Sequence, residues 1–162
     1  MPSTAKLSID IDRQSSGSGI PTDDDLCDWA RLAFRGEQRA EVALAIVSSD
    51  TIQALNRDYR SQDKPTNVLA FANATACEDG AVHLGDVVLC ADVIQAEAHD
   101  QGKPPQAHWA HVTIHGMLHL QDYDHTDDRQ AMEMEALETE LLATLGIADP
   151  YQVAPQAAGS QQ

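Results

Sequence analysis

The segment from Pro104 to Leu120 restricts the possible fold more than any other part of the chain. Pro104 and Pro105 can open a helix, because proline is tolerated in the first helical turn. From there on, apolar residues go most of the way round the helix: Trp109, Val112, Ile114, Met117, Leu118 and Leu120. A helix that is apolar on nearly all sides belongs in the interior of a protein. The sequence therefore predicts a central buried helix over about residues 105–120.

The rest of the chain predicts a small sheet beside this helix. Short apolar or alternating segments predict strands near residues 6–12, 41–48, 67–72 and 82–90. Helical spacing and capping residues predict further helices after Thr22, over 92–101 and from about 126 to 146. We expect an α+β fold, close to α/β, in which a mixed four-stranded sheet is surrounded by helices.

The length of the chain sets the number of domains. The 162 residues correspond to about one domain, at roughly 150 residues per domain. We expect residues 1–149 to form that domain. From residue 150 onward Gln, Ala and Pro dominate, which predicts a flexible tail over 150–162.

A short helix is predicted between the second and third strands. Ser49 can cap it, and Ile52, Leu55 and Tyr59 would then share one helical face. We therefore expect these three side chains to point inward.

The central helix also carries histidines at the spacing of metal ligands. His115 and His119 are four residues apart, so their imidazoles can reach one ion from the same helical face. His125 follows six residues later and can supply a third nitrogen after a turn. Three imidazoles with an open fourth position are typical of a catalytic zinc site. We predict one zinc ion per chain, and other divalent metals suit the same donors.

Four neighbouring residues are candidates for supporting roles. His111 is a candidate for contact with the substrate or for proton transfer, whereas His108 is expected to be a solvated residue of the first turn. Asp122 and Asp124 could orient ligand imidazoles through the second ring nitrogen, or could simply be turn residues. Because the helix must stop after Leu120 for the chain to turn back, we expect a left-handed or strained backbone at Asp122.

The histidine spacing is similar to the metzincin pattern HExxHxxGxxH, with two differences. Gly116 stands where a metallopeptidase has the glutamate that takes a proton from water, and Asp122 stands where the pattern has glycine. The ligands of such an enzyme are thus present and its base is absent. We expect the missing side chain at Gly116 to leave room near the metal for a bulky, charged phosphate.

The charge balance limits the partners of the chain. Ten Lys and Arg stand against 26 Asp and Glu, which gives a net charge of −16. A polybasic nucleic-acid binder and a basic membrane-surface protein are excluded. The sequence has no apolar run of transmembrane length and no leader-like N-terminus, and its three cysteines lack CxxC spacing. We therefore expect a cytoplasmic protein that does not bind membranes.

Residues 55–71 concentrate positive charge in this acidic chain. They include Arg57, Arg60 and Lys64, whose side chains suit phosphate oxygens. On spacing alone, local pairing with Asp58 and Asp63 is the favoured interpretation.

Two segments together resemble one known family, the YbeY endoribonucleases, which are metal-dependent and specific for single strands. Residues 115–125 read HGMLHLQDYDH, close to the family pattern HGxLHLxGYDH. Residues 55–71 read LNRDYRSQDKPTNVLAF, close to LNxxYRxxDKPTDVLSF. The LGDVV and MEME segments at 84–88 and 132–135 extend the resemblance over roughly residues 40–146. Departures from the family at Asp122, Asn67, Ala70 and Ala72 remove no metal ligand.

The resemblance implies zinc at His115, His119 and His125, and Arg60 as the catalytically important arginine. It also implies a role in maturation of ribosomal RNA, chiefly at the 3′ end of 16S rRNA, and in ribosome quality control. We therefore expect phosphodiester cleavage by metal-activated water, with single-stranded rRNA as substrate and ribosomal proteins as partners. Two alternatives stay open: a metal-dependent hydrolase of peptides or small molecules, and a non-enzymatic ribosome-associated metal-binding factor.

Overall fold

The computed structural model describes residues 6–15, 19–77, 80–121, 127–148 and 150. Within these ranges the chain forms four strands and five helices. In chain order they are β1 (Leu7–Arg13), α1 (Asp23–Ala33), β2 (Ala40–Val47), α2 (Ser49–Arg60), β3 (Val68–Ala76), β4 (Val82–Cys90), α3 (Ala91–Gln101), α4 (Pro105–Leu120) and α5 (Asp128–Thr144). Apart from residue 150, the predicted tail lies outside the described residues.

The four strands form one mixed sheet in the order β1-β2-β4-β3. β1 and β4 run parallel to β2, and β3 runs antiparallel to β4 with Ala70 opposite Val87. Gly85 permits the close approach of β3 and β4. Its φ is +139°, and a Cβ there would lie 2.1 Å from the carbonyl oxygen of Phe71. The predicted mixed four-stranded sheet is confirmed, and β3 forms one edge of it in the described chain.

Helix α4 lies at the centre of the larger part of the core. It packs against α1, α3, α5, β3 and β4, and Trp109, Met117 and Leu118 are fully buried. Alternate residues of a strand face opposite sides of a sheet. Accordingly, Val87 and Leu89 of β4 join the cluster around α4, while Val88 and Cys90 join a second, smaller cluster beneath α2. The prediction of a central buried helix is confirmed.

Helix α2 differs from its prediction at both ends. Its N-cap is Ser48 rather than Ser49, since β2 ends at Val47 and the Ser48 side chain accepts a hydrogen bond from the backbone N–H of Thr51. Ile52 is buried as predicted, but Tyr59 is 67% exposed. The last turn of α2 lies beside Phe71 on the edge strand, where the sheet offers no further strand to cover Tyr59 in the described chain. The expectation that Tyr59 points inward is therefore wrong.

The described part of the chain contains no helix suited to crossing a membrane. None of its helices combines the length and the apolar character that crossing a bilayer requires.

Candidate active site

The histidines of α4 form a row along one side of the helix. Ring centroids are 6.1 Å apart for His108 and His111, 6.3 Å for His111 and His115, and 4.7 Å for His115 and His119. The spacing of four residues therefore brings His115 and His119 side by side, as a shared ion would require. The third predicted ligand, His125, lies outside the described residues, as do Asp122 and Asp124.

A buried carboxylate from α5 meets this row. Glu138 is fully buried, and its Oε1 lies 3.2 Å from Nε2 of His111, while its Oε2 contacts Nδ1 of His115. Burying a carboxylate is costly unless polar partners compensate it, and the imidazoles are such partners. Glu138 is not among the residues that the sequence patterns predict for the site. A signal was present, because Glu138 lies on the same helical face as Met134 and Leu141, which makes it an acidic residue in an apolar stripe.

The described residues include a group that could hold a metal ion. One ligand atom each of His111, His115 and Glu138 lies within 4.8 Å of the others. Imidazole nitrogen and carboxylate oxygen are the donors that zinc accepts in proteins. The Glu138 contact also fits a second arrangement, in which a carboxylate fixes the orientation of a ligand histidine. With Nδ1 of His115 engaged by Glu138, Nε2 is the nitrogen that this histidine would offer to an ion.

A cleft of about 380 Å³ opens beside the histidines. It is lined by Arg60, Thr66, Asn67, Val68, Leu69, Ala70, His115, Gly116 and His119. The lining therefore comes from the end of α2, the chain leading into β3, β3 itself and the C-terminal half of α4.

Arg60 is the cation of this cleft. Its Nη2 donates a 2.6 Å hydrogen bond to the carbonyl oxygen of Ala70, and its guanidinium carbon lies 5.3 Å from the ring centroid of Phe71. The expected local ion pair is present for Arg57, whose Nε lies 3.2 Å from Oδ1 of Asp58. Arg60 instead turns toward the edge strand. The structure thus places a guanidinium and two imidazoles in one cleft.

His108 differs from its prediction. It is only 4% exposed, because the first turn of α4 packs against α3. Its Nε2 lies 2.9 Å from Oε1 of Glu97, which also accepts a 3.0 Å hydrogen bond from Asn67 in the cleft wall. Burial lowers the pKa of His108, although the hydrogen bond to Glu97 opposes this shift. The expectation of a solvated residue is wrong.

Gly116 has a different role from the one expected. A Cβ at this position would lie 2.8 Å from Cγ1 of Val87 and 2.9 Å from Cγ2 of Val68. The missing side chain would therefore point into the contact between α4 and the sheet, not toward free space for a phosphate. Glycine suits this position because the helix backbone lies so close to β3 and β4, and a glutamate would not fit unless the valine side chains, the helix or the strands shifted.

These features define a class of protein. A buried helix with an HxxxH pair, a carboxylate behind it and an arginine in the same cleft is the arrangement expected of a metal-dependent hydrolase. Comparison with known proteins identifies the family within this class. The family profile described as endoribonuclease YbeY matches residues 22–146. The chain belongs to the endoribonuclease YbeY family.

Curated relatives agree with this result. The chain is 47% identical over 149 residues to the endoribonuclease YbeY of Cellvibrio japonicus, covering 91% of this chain and 84% of that protein. It is 44% identical over 155 residues to the endoribonuclease YbeY of Laribacter hongkongensis, covering 94% and 93%. The solution structure of TM1509 from Thermotoga maritima has a similar fold, with a TM-score of 0.50 and 24% identity over 90% of this chain and 99% of that one.

Proposed function

We propose that this protein is a zinc-dependent endoribonuclease that hydrolyses single-stranded RNA. The observation that carries the proposal is the shared cleft, in which Arg60 lines the same cavity as His115 and His119. Family membership supports RNA as the substrate, since the relatives in Cellvibrio japonicus and Laribacter hongkongensis are named endoribonucleases. We further propose one ion per chain, held by His115, His119 and His125.

Each residue of the cleft has a chemical role in this proposal. When bound, zinc supplies a Lewis acid that activates water for attack near neutral pH. Arg60 binds the scissile phosphate and stabilises the negative charge that develops in the transition state. Glu138 orients His115 through Nδ1, and His111, whose Nε2 contacts the same carboxylate, is positioned to accept or pass on a proton.

The net charge of the molecule supports two further parts of the proposal, that the substrate is single-stranded and that a partner brings the enzyme to it. With a net charge of −16, the protein repels RNA at long range, and the proposed phosphate contact is local, at Arg60 in the cleft. A local site suits an accessible single strand better than a duplex. We propose that this strand is ribosomal RNA, at the 3′ end of 16S rRNA and in ribosome quality control, and that ribosomal proteins in the cytoplasm recruit the enzyme.

The charge-reversal variant Arg60→Glu tests the proposal. We expect it to abolish cleavage of a single-stranded RNA by the zinc-loaded protein, while fold and zinc content stay unchanged. Removing one preorganised group that stabilises transition-state charge typically costs about 10²–10³ in kcat, and a repulsive charge costs more. Arg57→Glu is the matched control, because it makes the same charge change one helical turn earlier, where Arg57 pairs with Asp58 outside the cleft lining.

A ligand variant and a second substrate separate the alternatives. His115→Ala should lose both zinc and RNA cleavage. Cleavage of RNA that survives in both His115→Ala and Arg60→Glu would contradict the proposal. Peptide cleavage that disappears with His115→Ala would favour a peptide hydrolase instead. A zinc-loaded protein that cleaves neither substrate would favour a non-enzymatic factor.

A further inference from the structure

Tyr59 is a large aromatic side chain that the fold leaves uncovered. It is 67% exposed, which places it among the few large exposed hydrophobic residues of the described chain, with Met132 and Leu145. One aromatic contact nonetheless anchors the Tyr59 side chain. Its ring packs against Phe71 with centroids 5.5 Å apart and planes inclined by 71°. An edge-to-face contact of this kind can cover at most one face of the tyrosine ring.

The position of Tyr59 relates it to the cleft. Tyr59 and Arg60 are consecutive residues of the last turn of α2, and both rest on Phe71. Arg60 lines the cleft and bonds to the carbonyl oxygen of Ala70 on the edge strand. A strand of RNA whose phosphate is held by Arg60, and which leaves the cleft over this edge, therefore passes next to the exposed ring of Tyr59.

We propose that Tyr59 is a stacking platform for one nucleobase of the bound strand. The inference rests on the proposed function and adds a subsite to it. Every nucleobase has a π face, so stacking on tyrosine binds a single strand without reading its sequence. Stacking also does not depend on net charge. It supplies affinity that the long-range electrostatics of a chain with a net charge of −16 do not provide.

Two single-stranded octamers with the same number of phosphates test the proposal. One is deoxyadenylate, and the other is an abasic backbone of tetrahydrofuran spacers. Because stacking involves the base and not the sugar, DNA probes report it without being ribonuclease substrates. Binding of the zinc-loaded protein is measured by fluorescence anisotropy at one ionic strength. The wild-type protein should bind deoxyadenylate about 5- to 150-fold more tightly than the abasic backbone, the range for one stacked base.

Variants at Tyr59 separate stacking from general apolar contact. Tyr59→Leu should remove most of the preference for deoxyadenylate and leave binding of the abasic octamer unchanged. Tyr59→Phe retains the aromatic ring and should retain the preference. Leu145→Ala, which removes another exposed apolar side chain at the end of α5, should bind both octamers as the wild type does. Thermal unfolding verifies that the variants are folded.

Several results would overturn the inference. Equal affinity of the wild-type protein for the two octamers, absence of binding to either, or a preference that persists in Tyr59→Leu would each contradict stacking at Tyr59. Failure of the proposed function is recognised separately, from cleavage of single-stranded RNA by the same zinc-loaded preparation. If RNA is cleaved and Tyr59→Leu retains the base preference, the inference alone is wrong.

Discussion

Glu138 shows how much one residue can determine at this site. Its carboxylate is fully buried between His111 and His115, so the energy of its burial depends on those two imidazoles. In return, the carboxylate engages Nδ1 of His115 and leaves Nε2 as the nitrogen that His115 would offer to an ion. In the proposed function, α5 would therefore support metal binding as well as the core.

We predict that Glu138→Ala weakens zinc binding by about 10- to 100-fold, the usual effect of removing the partner of a ligand histidine. Glu138→Gln should weaken it less, because the amide oxygen still accepts a hydrogen bond from Nδ1 of His115. Competition with a chromophoric chelator measures the affinities. Glu133→Gln provides a control on the same helix, where Glu133 is exposed beside Arg129. Equal zinc affinity in Glu138→Ala and the wild type would show that Glu138 has only a structural role.

His108 makes the stability of the fold depend on pH. Burial lowers its pKa in the folded protein below the ordinary value of 6.5. Between these two pKa values the unfolded chain binds more protons than the folded protein, so stability falls as the pH falls below about 6.5. We predict that the free energy of unfolding of the metal-free protein decreases between pH 7 and pH 5 more steeply in the wild type than in His108→Gln.

Urea denaturation at several pH values measures this difference. Glutamine keeps a hydrogen-bond donor for Glu97 but does not titrate. Parallel pH profiles for the wild type and His108→Gln would contradict the prediction.

At the scale of elements, Gly116 sets the distance between α4 and the sheet. The Cβ of an alanine would lie within 3.0 Å of methyl groups of Val68 and Val87, so these side chains or the elements that carry them must shift. We predict that Gly116→Ala destabilises the protein by about 1–3 kcal/mol through overpacking, despite the higher helix propensity of alanine. The double variant Gly116→Ala/Val68→Ala should recover part of this loss. Urea denaturation checks both, and a more stable Gly116→Ala protein would refute the packing argument.

Local sequence patterns predicted those elements whose limits are set by local chemistry. α4 begins at Pro105 and ends at Leu120 as predicted, because proline and the apolar run mark its limits. β3 was predicted to end at Ala72 but continues to Ala76. Asn73 is a weak strand former, and pairing of Ala76 with Val82 on β4 extends the strand beyond what local propensity favours. Tertiary pairing of this kind is not visible in a local pattern.

The same distinction applies to the site. The proximity of His115 and His119 is predictable from sequence, because residues four apart on a helix lie on the same face. Glu138 lies 23 residues from His115 and reaches it only through the packing of α5 on α4. Helical periodicity gives the face of a residue but not the point at which the sheet ends, so it does not predict the exposure of Tyr59. The role expected of Arg60 rests on family resemblance, since its own spacing favours local pairing.

At the scale of the whole molecule, the net charge of −16 predicts weak dependence of RNA binding on salt. In the proposed function the phosphate contacts are those made in the cleft around Arg60, so few counterions are released on binding. With two or three phosphate contacts, the slope of log K against log salt concentration should be about −1.4 to −2.1, at −0.7 per contact for a single strand. Titrations of RNA between 50 and 200 mM NaCl measure it, and Arg60→Ala should lower the slope by one contact. A much steeper slope would indicate a second cationic surface.

The bond between Arg60 and the carbonyl oxygen of Ala70 ties a helix on one face of the sheet to the edge strand. This bond lowers the conformational entropy that Arg60 has left to lose when it binds a ligand. A free arginine would lose about 0.5–1.5 kcal/mol of rotamer freedom when a ligand immobilises it. Here folding has already restricted the side chain, through the carbonyl oxygen and the ring of Phe71. In the proposed function, the phosphate would meet a preorganised guanidinium, and more of its interaction energy would remain as affinity.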